Sequence, residues 1–309
     1  MNLAHLHLLL NHFPTVGMMI AFGLFAGAFF RDHEDLKKVS LVLFFGIAVI
    51  TFPTYMTGAA AQMQLRDQPG ISSPLMAAHE DAAMLAFLFM EITGVIAWFG
   101  LWQYRRNSRP ANWVMPTILV LSIVSFVLMA RAANIGGDIR HPEIQSAFTQ
   151  AGGDSGTGLT ARVAAFANAP WTWPALETIH FVGLSLLCGI VFLINLRMLG
   201  GIKGVSYASL HRLLPLAMLG FGINVVTGML FFTGTPEQYV ENVSFYWKVL
   251  FMLLAGLNAL YFTIFDEPWR LGPGDDAPMI AKVISVSTLV IWFGVIYFGR
   301  MLPYLGNSF

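Results

Sequence analysis

Hydrophobic residues in this chain form eight long runs, without the strict alternation of half-buried strands or the one-sided stripe of soluble helices. Each run has about 20 residues or more, the length that an α-helix needs to cross a bilayer. The pattern therefore predicts an all-α, polytopic membrane protein. The predicted spans are Leu9–Phe30, Val39–Ala60, Leu75–Trp102, Trp113–Ala133, Pro174–Leu199, Leu210–Phe232, Tyr246–Phe265 and Met279–Pro303.

A long polar segment divides these spans into two groups of four. Residues 134–173 are rich in Gly, Ser, Thr, Asp and Asn, and they separate residues 1–133 from residues 174–309. We therefore expect two four-helix membrane domains joined by a loop. Within that loop, Leu159–Asn168 predicts a short helix at the membrane interface, followed by two tryptophans of the kind that anchor at headgroup level.

Composition and charge support a membrane protein and exclude several other classes. Of the 309 residues, 56% are hydrophobic and 11% are charged, against about 25% charged in soluble domains. The formal net charge is zero, so no basic surface for nucleic acid is expected. The single Cys188 excludes an internal disulfide and a Cys-Xaa-Xaa-Cys-His site for covalent haem. No basic region precedes the first apolar run, so we expect no cleavable signal peptide.

The distribution of Lys and Arg predicts the orientation in the membrane. Eleven of the 17 Lys and Arg residues fall at the span ends on one side. The positive-inside rule assigns that side to the cytoplasm. Both termini and the central loop are therefore expected outside, which is the periplasm if the chain lies in a bacterial inner membrane.

Histidines at span ends provide the candidate chemistry. His12 begins the first span, His79 begins the third, and His180 lies inside the fifth. Imidazole is costly to place in lipid, so such histidines usually face a bundle interior and bind a metal or relay protons. His12 and His79 would lie at similar depth on different helices, as the two axial ligands of one haem b require. His5 shares a helical face with His12 and is an alternative ligand; His7 is a further fallback, and the alternative place for both His5 and His7 is the membrane interface.

Other polar side chains at depth add to this hypothesis. Arg131 and Lys248 are predicted near the outer face, where they could neutralise haem propionates, although Lys248 could equally snorkel. A second haem would need a partner for His180, and no other outer-side histidine lies in that half. Glu91 falls near the middle of the third span, where a carboxyl is protonated, paired or part of a proton path. Helix capping or interhelical hydrogen bonding is the alternative role for the histidines.

Several stretches of the chain resemble bacterial membrane families of unknown function. In the first half these are His7–Gly17 and Ala78–Glu80, and the family they resemble often has histidines at these two places that are suspected of binding haem. In the second half, Leu176–His180, Asn195–Gly200 and Trp247–Val249 are similar to another such family. That family is distantly similar to b-type cytochrome and copper-resistance-type membrane domains. The resemblance implies two fused four-helix domains and covers most of both halves.

Together these features predict a b-type cytochrome-like subunit of an electron-transfer complex. One haem near the periplasmic face would pass electrons between quinol and a periplasmic redox protein. The loops are too short for a separate catalytic domain, so catalysis would belong to other membrane subunits. Two alternatives are a haem-free scaffold subunit and a proton or small-solute transporter that uses Glu91, Glu177 and the histidines.

Overall fold

The computed structural model describes residues 3–66, 68, 71–106, 109–140, 158–265 and 267–305. In this part of the chain the secondary structure is helical, without strands, which confirms the predicted all-α class. The helices are α1 (Leu3–Leu10), α2 (His12–Phe30), α3 (Glu34–Leu65), α4 (Ser73–Arg106), α5 (Val114–Arg140), α6 (Leu159–Ala167), α7 (Thr172–Met198), α8 (Tyr207–His211), α9 (Leu214–Gly234), α10 (Pro236–Val240), α11 (Val243–Ile264) and α12 (Met279–Leu305). A 3₁₀ turn, Glu267–Arg270, precedes α12.

Eight helical segments are long and apolar enough to cross a membrane. By this measure the chain is a multi-pass membrane protein, as predicted. Several helices continue past the predicted ends: α3 reaches Leu65, α4 reaches Arg106 and α5 reaches Arg140. Hydropathy marks only the length of helix that fits in hydrocarbon, whereas backbone hydrogen bonds carry a helix on into the headgroup region.

The predicted helix of the polar segment is present as α6, and Asp81 of α4 caps its first turn. The Asp81 carboxylate accepts hydrogen bonds from the backbone N–H of Leu159 at 2.8 Å and of Thr160 at 2.7 Å. It also accepts one from the Thr160 hydroxyl at 2.7 Å. A Cβ on Gly158 would lie 2.7 Å from Oδ2 of Asp81, so a larger residue there would displace the capping carboxylate. Residues 141–157 of the predicted loop lie outside the described residues.

The described residues fold into two compact units. Unit 1 takes its residues from Met1–Gly100 and Arg109–Phe166, and unit 2 takes its residues from Leu101–Ser108 and Ala167–Phe309. The main division therefore falls at the end of α6, within the polar segment of the sequence.

A kink in unit 1 separates α1 from α2. Pro14 has no backbone N–H, so the carbonyl of Leu10 receives no helical hydrogen bond from it, and the proline ring crowds that carbonyl. The helix is interrupted at Asn11, between the end of α1 and the start of α2. Both α1 and α2 pack against α3. The kink matters because α1 carries His7.

A buried arginine hydrogen-bonds to several segments at one end of unit 2. Arg197, near the end of α7, is fully buried. Its Nε donates to the carbonyl of Val205 at 2.7 Å, its Nη1 donates to the Tyr207 hydroxyl at 2.8 Å, and its Nη2 donates to the carbonyl of Asp275 at 3.1 Å. The guanidinium also lies 3.9 Å from the centre of the Tyr207 ring. One side chain therefore joins α7, the start of α8 and the loop before α12.

Helices α7 and α9 of unit 2 cross so closely that each needs a glycine at the contact. A Cβ on Gly220 would lie 2.6 Å from the carbonyl oxygen of Gly183 and 2.9 Å from the backbone nitrogen of Leu187. A Cβ on Gly183 would lie 2.9 Å from the carbonyl oxygen of Gly220. These neighbours are backbone atoms, which move only if the helices separate. Small residues at such crossings are typical of membrane helices.

We therefore expect Gly220→Ala to lower the free energy of unfolding by about 1–3 kcal/mol, the usual cost of overpacking. Thermal unfolding of the purified variant in detergent would measure it. Gly222→Ala is the matched control, because a Cβ on Gly222 would meet no atom within 4 Å. Equal stability of the two variants would show that the crossing tolerates a methyl group.

Candidate functional site

Two histidines of unit 1 hydrogen-bond to backbone carbonyls of neighbouring helices. Nδ1 of His7, on α1, lies 3.0 Å from the carbonyl oxygen of Thr54 on α3, and 3.4 Å from the Thr57 hydroxyl. Nδ1 of His79, on α4, lies 2.9 Å from the carbonyl oxygen of Ala132 on α5. A carbonyl oxygen only accepts, so Nδ1 carries the proton in both rings. Nε2 of each neutral imidazole then keeps a lone pair, the arrangement found in metal-ligating histidines.

A glycine follows each accepting carbonyl by one helical turn. Gly58 follows Thr54 by four residues, and Gly136 follows Ala132 by four residues. A Cβ on Gly58 would lie 3.0 Å from Cε1 of His7, and a Cβ on Gly136 would lie 3.0 Å from Cε1 of His79. The missing side chain lets each imidazole approach the helix closely. The same two features, an accepting carbonyl and a glycine four residues later, therefore lie beside His7 on α3 and beside His79 on α5.

The two imidazoles belong to the same unit. His7 lies on α1 and His79 lies on α4. Both rings are half-buried in unit 1. No described residue hydrogen-bonds to Nε2 of either ring. The candidate site thus consists of two oriented imidazoles whose Nε2 atoms make no hydrogen bond to a described residue.

His12, the ligand predicted from the sequence, has a different environment. Its side chain is exposed, and its Nδ1 lies 3.1 Å from the carbonyl oxygen of Leu8 in the preceding turn. His5, the predicted alternative, is exposed as well. Successive helical residues turn by about 100°, so His7 projects about 200° around α1 from His5. The face that carries His7 packs on α3, whereas His12 makes no hydrogen bond to another helix within the described residues.

His180 of unit 2 is held in a similar way by a hydroxyl group. Its Nδ1 lies 2.7 Å from Oγ1 of Thr227 on α9. That hydroxyl donates to the carbonyl of Ile223 at 2.7 Å, so it accepts from His180. Nε2 of His180 is therefore the nitrogen with the lone pair. The Phe231 ring lies 5.8 Å away in an edge-to-face arrangement.

The two predicted cations fall in different units. Arg131 is exposed on α5 of unit 1, directly before Ala132, whose carbonyl orients His79. Lys248 is half-buried on α11 of unit 2 and interacts electrostatically with His180. Arg131 is therefore the predicted cation that shares a unit with the His7 and His79 site.

Comparison with models of known protein families, with curated proteins and with solved structures finds no match to this chain.

Proposed function

We propose that this protein is a b-type cytochrome-like subunit of a membrane electron-transfer complex, in which His7 and His79 hold one haem b. The observation that supports this most directly is the shared geometry of the two histidines. Each donates Nδ1–H to a carbonyl of a neighbouring helix, and no described residue hydrogen-bonds to its Nε2. Such outer hydrogen bonds fix the tautomer and the ring orientation of histidine ligands.

The surrounding residues fit that role. Haem b supplies one-electron redox chemistry when it is bound. The carbonyls of Thr54 and Ala132 would hold the rings in place, so little side-chain entropy is lost when a ligand binds. Gly58 and Gly136 give each ring room beside its helix. Arg131, one residue from Ala132, would balance the charge of a propionate.

The wider proposal follows the orientation predicted from charge. The complex would lie in a bacterial inner membrane, with both termini of this chain in the periplasm. Quinol and a periplasmic redox protein would be its electron-transfer partners, and other membrane subunits would carry any catalysis. His180 and Lys248 would form a secondary polar site in unit 2.

A reduced-minus-oxidised visible spectrum of the purified protein tests this proposal. We expect the α-band of a low-spin haem b and, from the pyridine haemochrome, about one haem per chain, because the site offers one pair of imidazoles. Protein expressed under haem limitation is the matched control and should lack the band. A colourless, stable protein that co-purifies with its complex would instead support the haem-free scaffold.

A further inference from the structure

Glu91 lies near the middle of α4, far from either helix end. The residue is only 7% exposed. Its Oε1 is buried without a hydrogen-bond partner among the described residues. No ion pair joins it to a described Lys or Arg side chain. An acidic residue in this position needs an explanation other than an ion pair.

The contacts between α3 and α4 indicate which residue of α3 lies at the same depth as Glu91. The rings of Tyr55 and Phe87 stack with their centres 4.9 Å apart, and Gln62 donates to Glu80 at 2.9 Å. These pairs define an antiparallel register. Four residues back along α3 from Tyr55 is Thr51, and four residues forward along α4 from Phe87 is Glu91. The register therefore places Thr51 opposite Glu91.

The chemistry of Thr51 favours one form of that carboxyl. The Thr51 hydroxyl donates its proton to the carbonyl of Ile47 at 2.7 Å. It therefore offers lone pairs, which suit the O–H of a carboxylic acid and repel a carboxylate. The charged groups of the helices around Glu91 lie further along the chain: Glu34, Asp35, Lys37 and Lys38 at the start of α3, Arg66 just after its end, Glu80, Asp81, Arg105 and Arg106 on α4, and Arg131, Asp138 and Arg140 on α5. A carboxylate without a cation at this depth is strongly disfavoured.

We propose that Glu91 is a proton-binding site inside the membrane-spanning part of unit 1, and that its carboxyl holds an exchangeable proton. Thr51 lies one turn along α3 from Thr54, the residue whose carbonyl orients His7. A positive charge that develops near His7 would therefore favour release of this proton, and loss of that charge would favour its return. The link to haem oxidation rests on the function proposed above, whereas proton binding by Glu91 does not.

Dicyclohexylcarbodiimide, an apolar reagent specific for protonated carboxyls, tests the site in the purified full-length protein. The carboxyl O–H adds across one C=N bond of the reagent, and the adduct rearranges to a stable N-acylurea with no atom lost. We expect peptide mass spectrometry to find this adduct on Glu91 in the native protein. Glu91→Gln should abolish it, and Glu80→Gln should leave it unchanged. An unmodified Glu91 in folded native protein would overturn the proposal.

Infrared spectroscopy of the native protein gives a second measurement that needs no variant to fold. We expect a C=O stretch from a protonated carboxyl in apolar surroundings, and a downshift of this band in D₂O if the proton exchanges. Absence of such a band would also overturn the proposal.

A haem-free protein that still carries the Glu91 adduct would refute the cytochrome function alone. A haem protein with unmodified Glu91 would refute the proton site alone.

Discussion

Replacing His7 or His79 by alanine is expected to remove the low-spin α-band of the protein completely. If His7 and His79 hold the haem as proposed, each substitution takes away one of its two Nε2 ligands, and a haem held by one imidazole does not keep a low-spin spectrum. The effect should be the same for both variants, because the two rings are oriented by equivalent bonds to Thr54 and Ala132. Reduced-minus-oxidised spectra of membranes with matched amounts of each variant would measure it.

His12→Ala is the matched control for His7→Ala. The two residues lie five positions apart in one span, but His12 is exposed and bonded only within its own helix segment. Its replacement should leave the α-band unchanged, as should His5→Ala. Loss of the band in His12→Ala together with its retention in His7→Ala would restore the pairing predicted from the sequence and refute the one drawn from the structure.

Arg197→Ala is expected to cause the largest loss of stability in unit 2, about 3 kcal/mol or more, because several buried acceptors lose the guanidinium that donates to them. The substitution leaves the carbonyls of Val205 and Asp275 and the hydroxyl of Tyr207 without their donor. Each unsatisfied buried group costs about 1–3 kcal/mol. Chemical unfolding of the purified protein in detergent would measure the difference.

Arg212→Ala provides the control for that experiment. Arg212 is exposed on the segment between α8 and α9, so its loss should change stability by about 0.5 kcal/mol or less. The stability of Arg197→Lys should lie between those of Arg197→Ala and Arg212→Ala, because an ammonium group cannot reproduce the planar fork of donors. A stability of Arg197→Ala equal to that of Arg212→Ala would mean that water replaces the guanidinium.

Hydropathy alone predicted the helices well because the bilayer imposes a strong and simple constraint. A helix that crosses the membrane, such as α7 or α12, must be apolar over the length that lies in hydrocarbon. The sequence shows this directly as a long run of apolar residues. Helix ends are less constrained. Arg140 is seven residues past the predicted end of its span, because polar residues continue a helix without an apolar signal. The interruption at Asn11 could have been predicted from Pro14.

Which histidines pack between helices was harder to predict, because it depends on which face of α1 meets α3. His79 was proposed as a ligand from its place at the start of a span, and it stays a prediction. His7 and His12 occupy similar places in the sequence, and only the packing of α1 distinguishes them. A signal was nevertheless present on α3, since Gly58 lies inside a predicted span with no turn to explain it, whereas Gly136 falls in the predicted polar segment. Glycine in such a place indicates close approach of another group.

The shallow packing of α1 has a consequence for its local stability. None of its residues from Leu3 to Leu10 is fully buried, although it supplies one side of the candidate site through His7. Elements with little buried surface open at low free energy, well below that of global unfolding. Amide hydrogens of α1 should therefore exchange with solvent faster than those of α4. A ligand bound to His7 would slow that exchange. The exchange rate of the α1 amides would therefore show whether the site is occupied, even without an optical signal.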